Sequence, residues 1–298
     1  MSFSSKVKEE LNKSSNLANK ELVKYELLGY FLSGNTSLIN EKALKFATES
    51  DYNINRFSKL LSNLEINHNI DIVGKSFIIT VKIKDLLNLI EQKQGSIVLT
   101  QKIRQELLEG KVPENRLRDI IRGLFLGSGS INNPQKKYHL EMLLSNEQNL
   151  QDAMLILENL GMKPKKVVTK YKYSIYMKEG EEISNFLALI GANKAVLEFE
   201  NIRIQREMRG KVNRIVNCEA ANLNKTINAS IAQIAAIKKL QENGKFNKLD
   251  DNLREIAELR LENPDMSLVD LGKLLKQPVG KSGVNYRLKK IMEMADEG

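Results

Sequence analysis

Seven residues near the C-terminus carry groups that hold and read nucleic acid: Lys281, Ser282, Asn285, Tyr286, Arg287, Lys289 and Lys290. An asparagine amide or an arginine guanidinium makes paired hydrogen bonds to base edges, whereas serine hydroxyls and lysine amines hold phosphates. Tyr286 suits either task. One helix accommodates all seven. Val284, Leu288 and Ile291 follow the i, i+4, i+7 spacing of a buried stripe, and the opposite face at 100° per residue carries Ser282, Tyr286, Lys289 and Lys290, flanked by Asn285 and Arg287. Upstream, Ser267 predicts an N-cap, with Asp270 three residues later completing a capping box. The first helix is expected over about 268–276, with Leu268, Leu271, Leu274 and Leu275 available to the core. Gln277-Pro278-Val279-Gly280 is a tight turn, and the second helix begins at Lys281 or Ser282. A helix-turn-helix over about 267–295 results. An ordinary helical hairpin with a basic exposed face fits the same pattern.

A second set of positions matters for what it lacks. The segments LLGYFLSGN (27–35) and IRGLFLGSG (121–129) match at Gly29 and Gly123, Phe31 and Phe125, and Leu32 and Leu126, 94 residues apart. Glycine within an apolar helix lets a second backbone touch, because no Cβ intervenes. Core packing explains the glycines but not two copies followed by the same element order. Both segments resemble the motif helices of LAGLIDADG homing endonucleases. The resemblance implies two helices side by side about a pseudo-two-fold axis, with two four-stranded sheets forming a saddle over duplex DNA. It also implies an acid at the base of each helix, where two carboxylates hold divalent metals that activate water. The matching positions are Gly34 and Ser128; neither carries charge, and the adjacent Asn35 and Gly129 do not restore it. Phosphodiester cleavage by that route is expected to be absent, with no catalytic residue, metal or cofactor. A rescue would have to use Glu41 or Glu141, on the strands that follow.

Two further basic clusters stand out. KKVVTKYKYSIYMK (165–178) carries Lys165, Lys166, Lys170, Lys172 and Lys178 with no acid between them. Lysines on a two-stranded ribbon can track phosphates, or can simply solvate and protect a sheet edge. The stretch 203–214 holds Arg203, Arg206, Arg209, Lys211 and Arg214 against a single acid, Glu207. Of these, Arg206, Arg209, Lys211 and Arg214 are candidate DNA contacts.

The elements that carry these groups repeat. After each glycine helix come two short strands (SLINE and ALKFAT; SINN and YHLEMLL), then a helix (54–65; 149–161). A β-hairpin follows (68–83, with a Gly-Lys turn; 165–178), and then a short helix (85–92; 181–191). The fold class is therefore α+β: two pseudo-symmetric αββαββα subdomains of LAGLIDADG type, over 1–105 and 106–202, followed by an all-α domain. A basic linker is expected at 203–221 and the helical domain at 222–298. In the latter, 223–242 reads as an amphipathic helix with Ile227, Ile231, Ile234 and Ile237 or Leu240 inward, and 252–263 as another, stopped by Pro264.

Bulk composition agrees. The chain has 298 residues, 42% hydrophobic and 28% charged, with a net charge of +9. Such an excess favours an anionic partner, most commonly nucleic acid, although lysine also serves solubility. One cysteine, Cys218, excludes an internal disulfide and a cysteine-based zinc site. His68 and His139 lack ligand-spaced neighbours. The start, MSFSSKVKEEL, has no signal-type apolar segment, and no run reaches the ~20 apolar residues of a membrane span, so a cytoplasmic, nucleoid-associated location is expected.

A closer resemblance covers essentially the whole chain. SFSSKVKEEL (2–11), the stretch 190–214, VNRIVNCEAANLNKTINA (212–229), LREIAELR (253–260) and KSGVNYRLKKI (281–291) are similar to the WhiA transcription regulators of Gram-positive bacteria and their relatives. Unlike many members, this chain has no cysteine in 14–24. The resemblance implies a degenerate LAGLIDADG domain joined to a helix-turn-helix, acting in cell division and chromosome segregation. Double-stranded DNA is the expected partner, a second transcription regulator is another, and a monomer is compatible with the internal repeat. Two other function classes are a protein–protein adaptor and an active endonuclease.

Overall fold

The computed structural model describes residues 1–13 and 16–297; Ser14 and Ser15, inside the cysteine-free stretch 14–24, and Gly298 lie outside the described residues. The chain divides into two compact units, 1–207 and 208–298.

The first unit opens with α1 (Phe3–Asn12) and continues through α2 (Lys20–Leu32), β1 (Thr36–Ile39), β2 (Ala43–Thr48), α3 (Asp51–Asn63), β3 (His68–Val73) and β4 (Ser76–Lys82). A hairpin, β5 (Ile90–Lys93) and β6 (Ser96–Leu99), and α4 (Gln101–Leu108) lead to the second copy. That copy is α5 (Glu114–Ser128), β7 (Gly129–Ile131), β8 (Leu140–Leu144), α6 (Glu147–Asn159), β9 (Lys165–Thr169), β10 (Lys172–Met177) and α7 (Gly180–Leu189). The two four-stranded sheets share one topology, β1-β2-β4-β3 and β7-β8-β10-β9, with every neighbouring pair antiparallel. Equivalent helices are capped alike: Ser50 accepts from Asn53 N to start α3, and Asn146 accepts from Asn149 N to start α6.

The two glycine helices, α2 and α5, lie at the centre of this unit. A β-carbon on Gly29 would fall 2.0 Å from the Ile120 carbonyl oxygen, and one on Gly123 would fall 1.9 Å from that of Glu26. The backbones are thus in direct contact. Beside the contact runs a buried ionic network. Glu26 accepts from Nε and Nη2 of Arg56, both at 2.8 Å, and Arg122 pairs with Asp119 while donating from Nε to the Ile190 carbonyl at 2.9 Å.

The expected helix at 85–92 is not there. A single 3-10 turn, Ile83–Asp85, gives way to the β5–β6 hairpin. Leu86, Leu89 and Ile90 are buried at a spacing that imitates one helical face, but Gln94 and Gly95 both take positive φ, the two-residue turn that closes a tight hairpin.

α8 (Asn193–Glu242) contributes residues to both units. Its start is capped by Glu10, whose carboxylate accepts from the backbone N–H groups of Lys194 (2.8 Å) and Ala195 (3.0 Å). The expected linker, 203–221, is helical throughout. In the second unit α8 is followed by α9 (Asp251–Glu262), α10 (Leu268–Leu274) and α11 (Lys281–Asp296), packed around Ile237, Leu240, Ile256, Leu271, Leu288 and Ile291. Here the expected seam of α8 shifts. Ile227 and Ile231 are exposed and Ile234 is half-buried, while Ser230, Gln233, Ile237 and Leu240 face inward. The hydroxyl of Ser230 donates to the Pro264 carbonyl at 2.5 Å, so a polar contact sets which face turns in. In α10, Leu271 and Leu275 are buried as expected, but Leu268 is half-buried and Leu274 is 51% exposed. The chain leaves the helix at Leu275, which is extended, and this carries Leu275 rather than Leu274 into the core.

Candidate nucleic-acid interface

The helix-turn-helix is assembled by local sequence chemistry. Ser267 Oγ accepts from Asp270 N at 3.2 Å and donates to its carboxylate at 2.8 Å. Hydrogen bonds from Lys273 and Ser267 hold the Asp270 carboxyl below its ordinary range. The turn then folds back on Gly272: Val279 N donates to the Gly272 carbonyl at 3.2 Å, and a β-carbon at 272 would lie 2.2 Å from the Val279 carbonyl oxygen. Arg260, which sequence reasoning had not singled out, pins the approach to α10. It is 1% exposed, and its Nη1 donates to the carbonyls of Met266 (2.8 Å), Pro264 (3.3 Å) and Asn263 (3.4 Å). Burial pushes its guanidinium pKa down. Its place in the apolar pattern of 252–263 was the available signal.

On α11, Val284, Leu288 and Ile291 are buried, and Lys281, Ser282, Asn285, Tyr286, Lys289 and Lys290 are exposed. Lys289 lies 3.6 Å from Glu293. Arg287 differs: it is half-buried, and its Nη1 is enclosed without a hydrogen-bond partner among the described residues. The structure therefore brings six of the seven expected side chains onto one open helical face.

The basic hairpin divides. In the β8–β10–β9 register, Tyr176 faces Glu141 and Lys165, while Ile175 faces Met142 and Lys166. Lys165 and Lys172 thus share the sheet face away from buried Met142 and Ile175, and Lys166 belongs to the other. Lys172 Nζ pairs with Glu141 at 2.7 Å. Burial works to raise the Glu141 carboxyl, but the hydrogen bond from Lys172 and the lysine's charge hold it below its ordinary range. Lys170 sits over the Tyr171 ring at the hairpin tip. On α8, Arg206 is engaged within the first unit, donating to the Pro134 carbonyl at 2.6 Å and stacking over Tyr138. Arg209, Lys211 and Arg214 are exposed.

At the base of the paired glycine helices, Gly34 and Ser128 converge on one atom. The Leu143 carbonyl oxygen accepts from Gly34 N at 2.8 Å and from Ser128 Oγ at 2.5 Å. Asn35 Nδ2 donates to the Gly127 carbonyl at 2.7 Å. A β-carbon on Gly34 would meet the Leu143 β-carbon at 2.9 Å. These residues present donors already spent on carbonyls and no carboxylate, a set that does not fit a divalent cation. Glu141 is committed to Lys172, and Glu41 is exposed in the β1–β2 turn at φ 57°. Near the end of α5, Lys8 Nζ donates to the Leu126 carbonyl at 3.2 Å, and burial pushes its amine pKa down to about 8. His68 is a hydrogen-bonded strand residue, 2.7 Å from Ser58 Oγ and 3.0 Å from the Ile66 carbonyl.

No helix among the described residues is long and apolar enough to cross a membrane. Comparison with known proteins agrees with this architecture. Residues 26–107 and 117–209 match the WhiA LAGLIDADG-like domain, and residues 212–295 match the WhiA C-terminal HTH domain. A probable cell division protein WhiA from Clostridium novyi is 39% identical over 100% of this chain and 98% of its own length. One from Clostridium perfringens is 44% identical over 72% of this chain and 67% of its own. The crystal structure of full-length WhiA from Thermatoga maritima aligns with a TM-score of 0.61 at 28% identity, covering 100% of this chain and 99% of that one. With both parts of the chain matched in order and relatives aligned from end to end, the chain belongs to the WhiA family.

Proposed function

We propose that the chain is a sequence-specific DNA-binding regulator of transcription, working on the nucleoid in the cytoplasm and serving cell division and chromosome segregation. The observation that carries this reading is the exposed face of α11, where Lys281, Ser282, Asn285, Tyr286, Lys289 and Lys290 stand opposite a buried apolar stripe. Such a helix, preceded by a short capped helix and a tight turn, suits a major groove. The cell-division link follows the names of the Clostridium relatives. Asn285 and Arg287 read bases, Ser282 and the lysines hold phosphates, and Lys165, Lys170, Arg209 and Arg214 supply further backbone contacts. The proposed plan keeps two subdomains up to about residue 202, a basic segment over 203–221 and a DNA-binding domain over 222–298. The LAGLIDADG-like domain is a scaffold or docking surface without nuclease activity, because Gly34 and Ser128 spend their donors on the Leu143 carbonyl.

The decisive experiment is a binding titration with the preferred duplex and with scrambled duplexes. Asn285→Ala is expected to weaken preferred-site binding by about 1–3 kcal/mol and to flatten the preference. Arg287→Ala is expected to do the same, its enclosed guanidinium swinging out to the groove when duplex binds. Equal losses on every sequence would reassign both residues to phosphate contacts. Supercoiled plasmid incubated with Mg²⁺ or Mn²⁺ is expected to stay intact, and double-strand breaks would overturn the scaffold role. A second reading, a protein–protein adaptor, draws on the exposed apolar residues Val212, Ile215, Val216 and Leu223 of α8. Failure of the full chain to bind any duplex in dilute buffer would favour it.

A further inference from the structure

The second unit holds a pocket of about 250 Å³ beside α11. Lys225 and Gln233 of α8, Arg260 of α9, the N-cap Ser267, and Lys281 and Asn285 of α11 contribute to its wall. Three of these are cations, and no carboxylate is among the lining residues. Arg260 is 1% exposed and Gln233 is 5% exposed, yet Nε of the arginine and Oε1 of the glutamine are enclosed with no hydrogen-bond partner among the described residues. Native folds leave few enclosed polar groups unpaired. The Nη1 of Arg260 is used on three backbone carbonyls, so the edge formed by Nε and Nη2 is the part left for another acceptor. The volume is roughly eight times a water molecule's ~30 Å³ share of liquid, and of the three cations Arg260 is buried, a charge that water alone does not balance. A tetrahedral oxyanion supplies acceptors to the amines of Lys225 and Lys281 and to the Arg260 guanidinium, and a small shift of the Arg260 and Gln233 side chains brings the enclosed Nε and Oε1 to it or to a water on it.

We propose that this pocket is a phosphoryl-binding site, taking one phosphate group between Lys225, Arg260 and Lys281. The phosphate is either one in the backbone of DNA lying along α11, which rests on the DNA-binding reading above, or that of a free phosphorylated molecule, which does not. In both cases the end of α8 becomes part of the binding unit rather than a tether.

The test uses the full chain with Lys225→Ala and Gln233→Leu; Arg260 is left intact because it also holds the turn before α10. Affinity for a preferred and a scrambled duplex is measured across salt concentrations. In parallel, inorganic phosphate and ribose 5-phosphate are titrated without DNA while the Gln233 and Asn285 side-chain amide resonances are followed. A DNA phosphate predicts that Lys225→Ala loses about fivefold on both duplexes alike and lowers the slope of log affinity on log salt by about one. A free phosphorylated molecule predicts saturable resonance shifts in the unmodified chain that both variants weaken about fivefold or more. Either result supports the site. Wild-type affinity and slope in both variants, with no saturable shift up to millimolar phosphate, overturns it while leaving DNA binding intact. If the unmodified chain binds no duplex, the DNA reading fails on its own, and the phosphate titration still decides the pocket.

Discussion

At Gly29 and Gly123 the absent β-carbons decide the architecture, because they would lie only 2.0 and 1.9 Å from carbonyl oxygens of the opposing helix. Backbone cannot rotate away as a side chain can. Gly29→Ala or Gly123→Ala is therefore expected to cost about 3 kcal/mol or more, beyond ordinary overpacking, read as a lowered denaturant midpoint. Gly210 is the control, with nothing within 4 Å of its β-carbon position and a helical backbone on both sides. Gly210→Ala is expected to stabilise by about 0.5–1 kcal/mol, the helix-propensity difference alone. Lys8 gives a pH signature. Its amine falls from 10.5 to about 8 in the fold, so the folded chain carries the penalty of a buried charge below pH 8. Between 8 and 10.5 the unfolded chain binds the extra proton, and stability rises with pH. Lys8→Met is expected to gain about 1–3 kcal/mol at pH 7, a gain that disappears above 10.5. Urea midpoints at neutral and alkaline pH check it, and a gain independent of pH would assign the effect to packing.

At the scale of elements, α2, α3 and α5 are joined by a buried charge network that no motif announces. Glu26 and Arg56 are both 1% exposed at their side chains and meet in a two-pronged pair. Removing one partner strands the other without solvent, so Arg56→Leu is expected to cost about 3–5 kcal/mol, whereas Glu26→Leu with Arg56→Leu should recover most of that loss. Equal losses in the single and double variants would show that Arg122, 3.7 Å from Glu26, dominates the network instead. The helix-turn-helix was legible for a different reason: its N-cap, turn and stripe are local, each set by residues within a few positions of one another. The 85–92 segment was misread because Leu86, Leu89 and Ile90 imitate a helical face, and the two-residue turn at Gln94-Gly95 is what overrules it.

At the scale of the whole chain, the +9 charge is spread over basic groups in both units, and several of them are already spent. Arg206 holds the Pro134 carbonyl and Lys172 holds Glu141. The remaining lysines and arginines release counterions when they meet phosphate, so log affinity for duplex is expected to fall linearly with log salt. Titrations from dilute to physiological buffer measure the slope, and an affinity indifferent to salt would remove electrostatics from the binding. Replacing Lys172 should alter that slope less than replacing Lys289, because Lys172 begins from a shorter ion pair on a less exposed carboxylate.

The sequence alone determined the repeat, the order of strands and helices in each copy apart from the 85–92 segment, the absence of acids at positions 34 and 128, and the stripe and open face of α11. All of these depend on composition at one position or on spacing within a few turns. Tertiary structure decided the rest: that Gly34 and Ser128 share the Leu143 carbonyl, that Ser230 rather than Ile231 faces inward, and that Lys225, Gln233 and Arg260 line one pocket beside α11. Gly34 and Leu143, Ser230 and Pro264, and Gln233 and Arg260 are separated by tens of positions along the chain. Only packing brings them together, and no local periodicity encodes which distant carbonyl a donor will find.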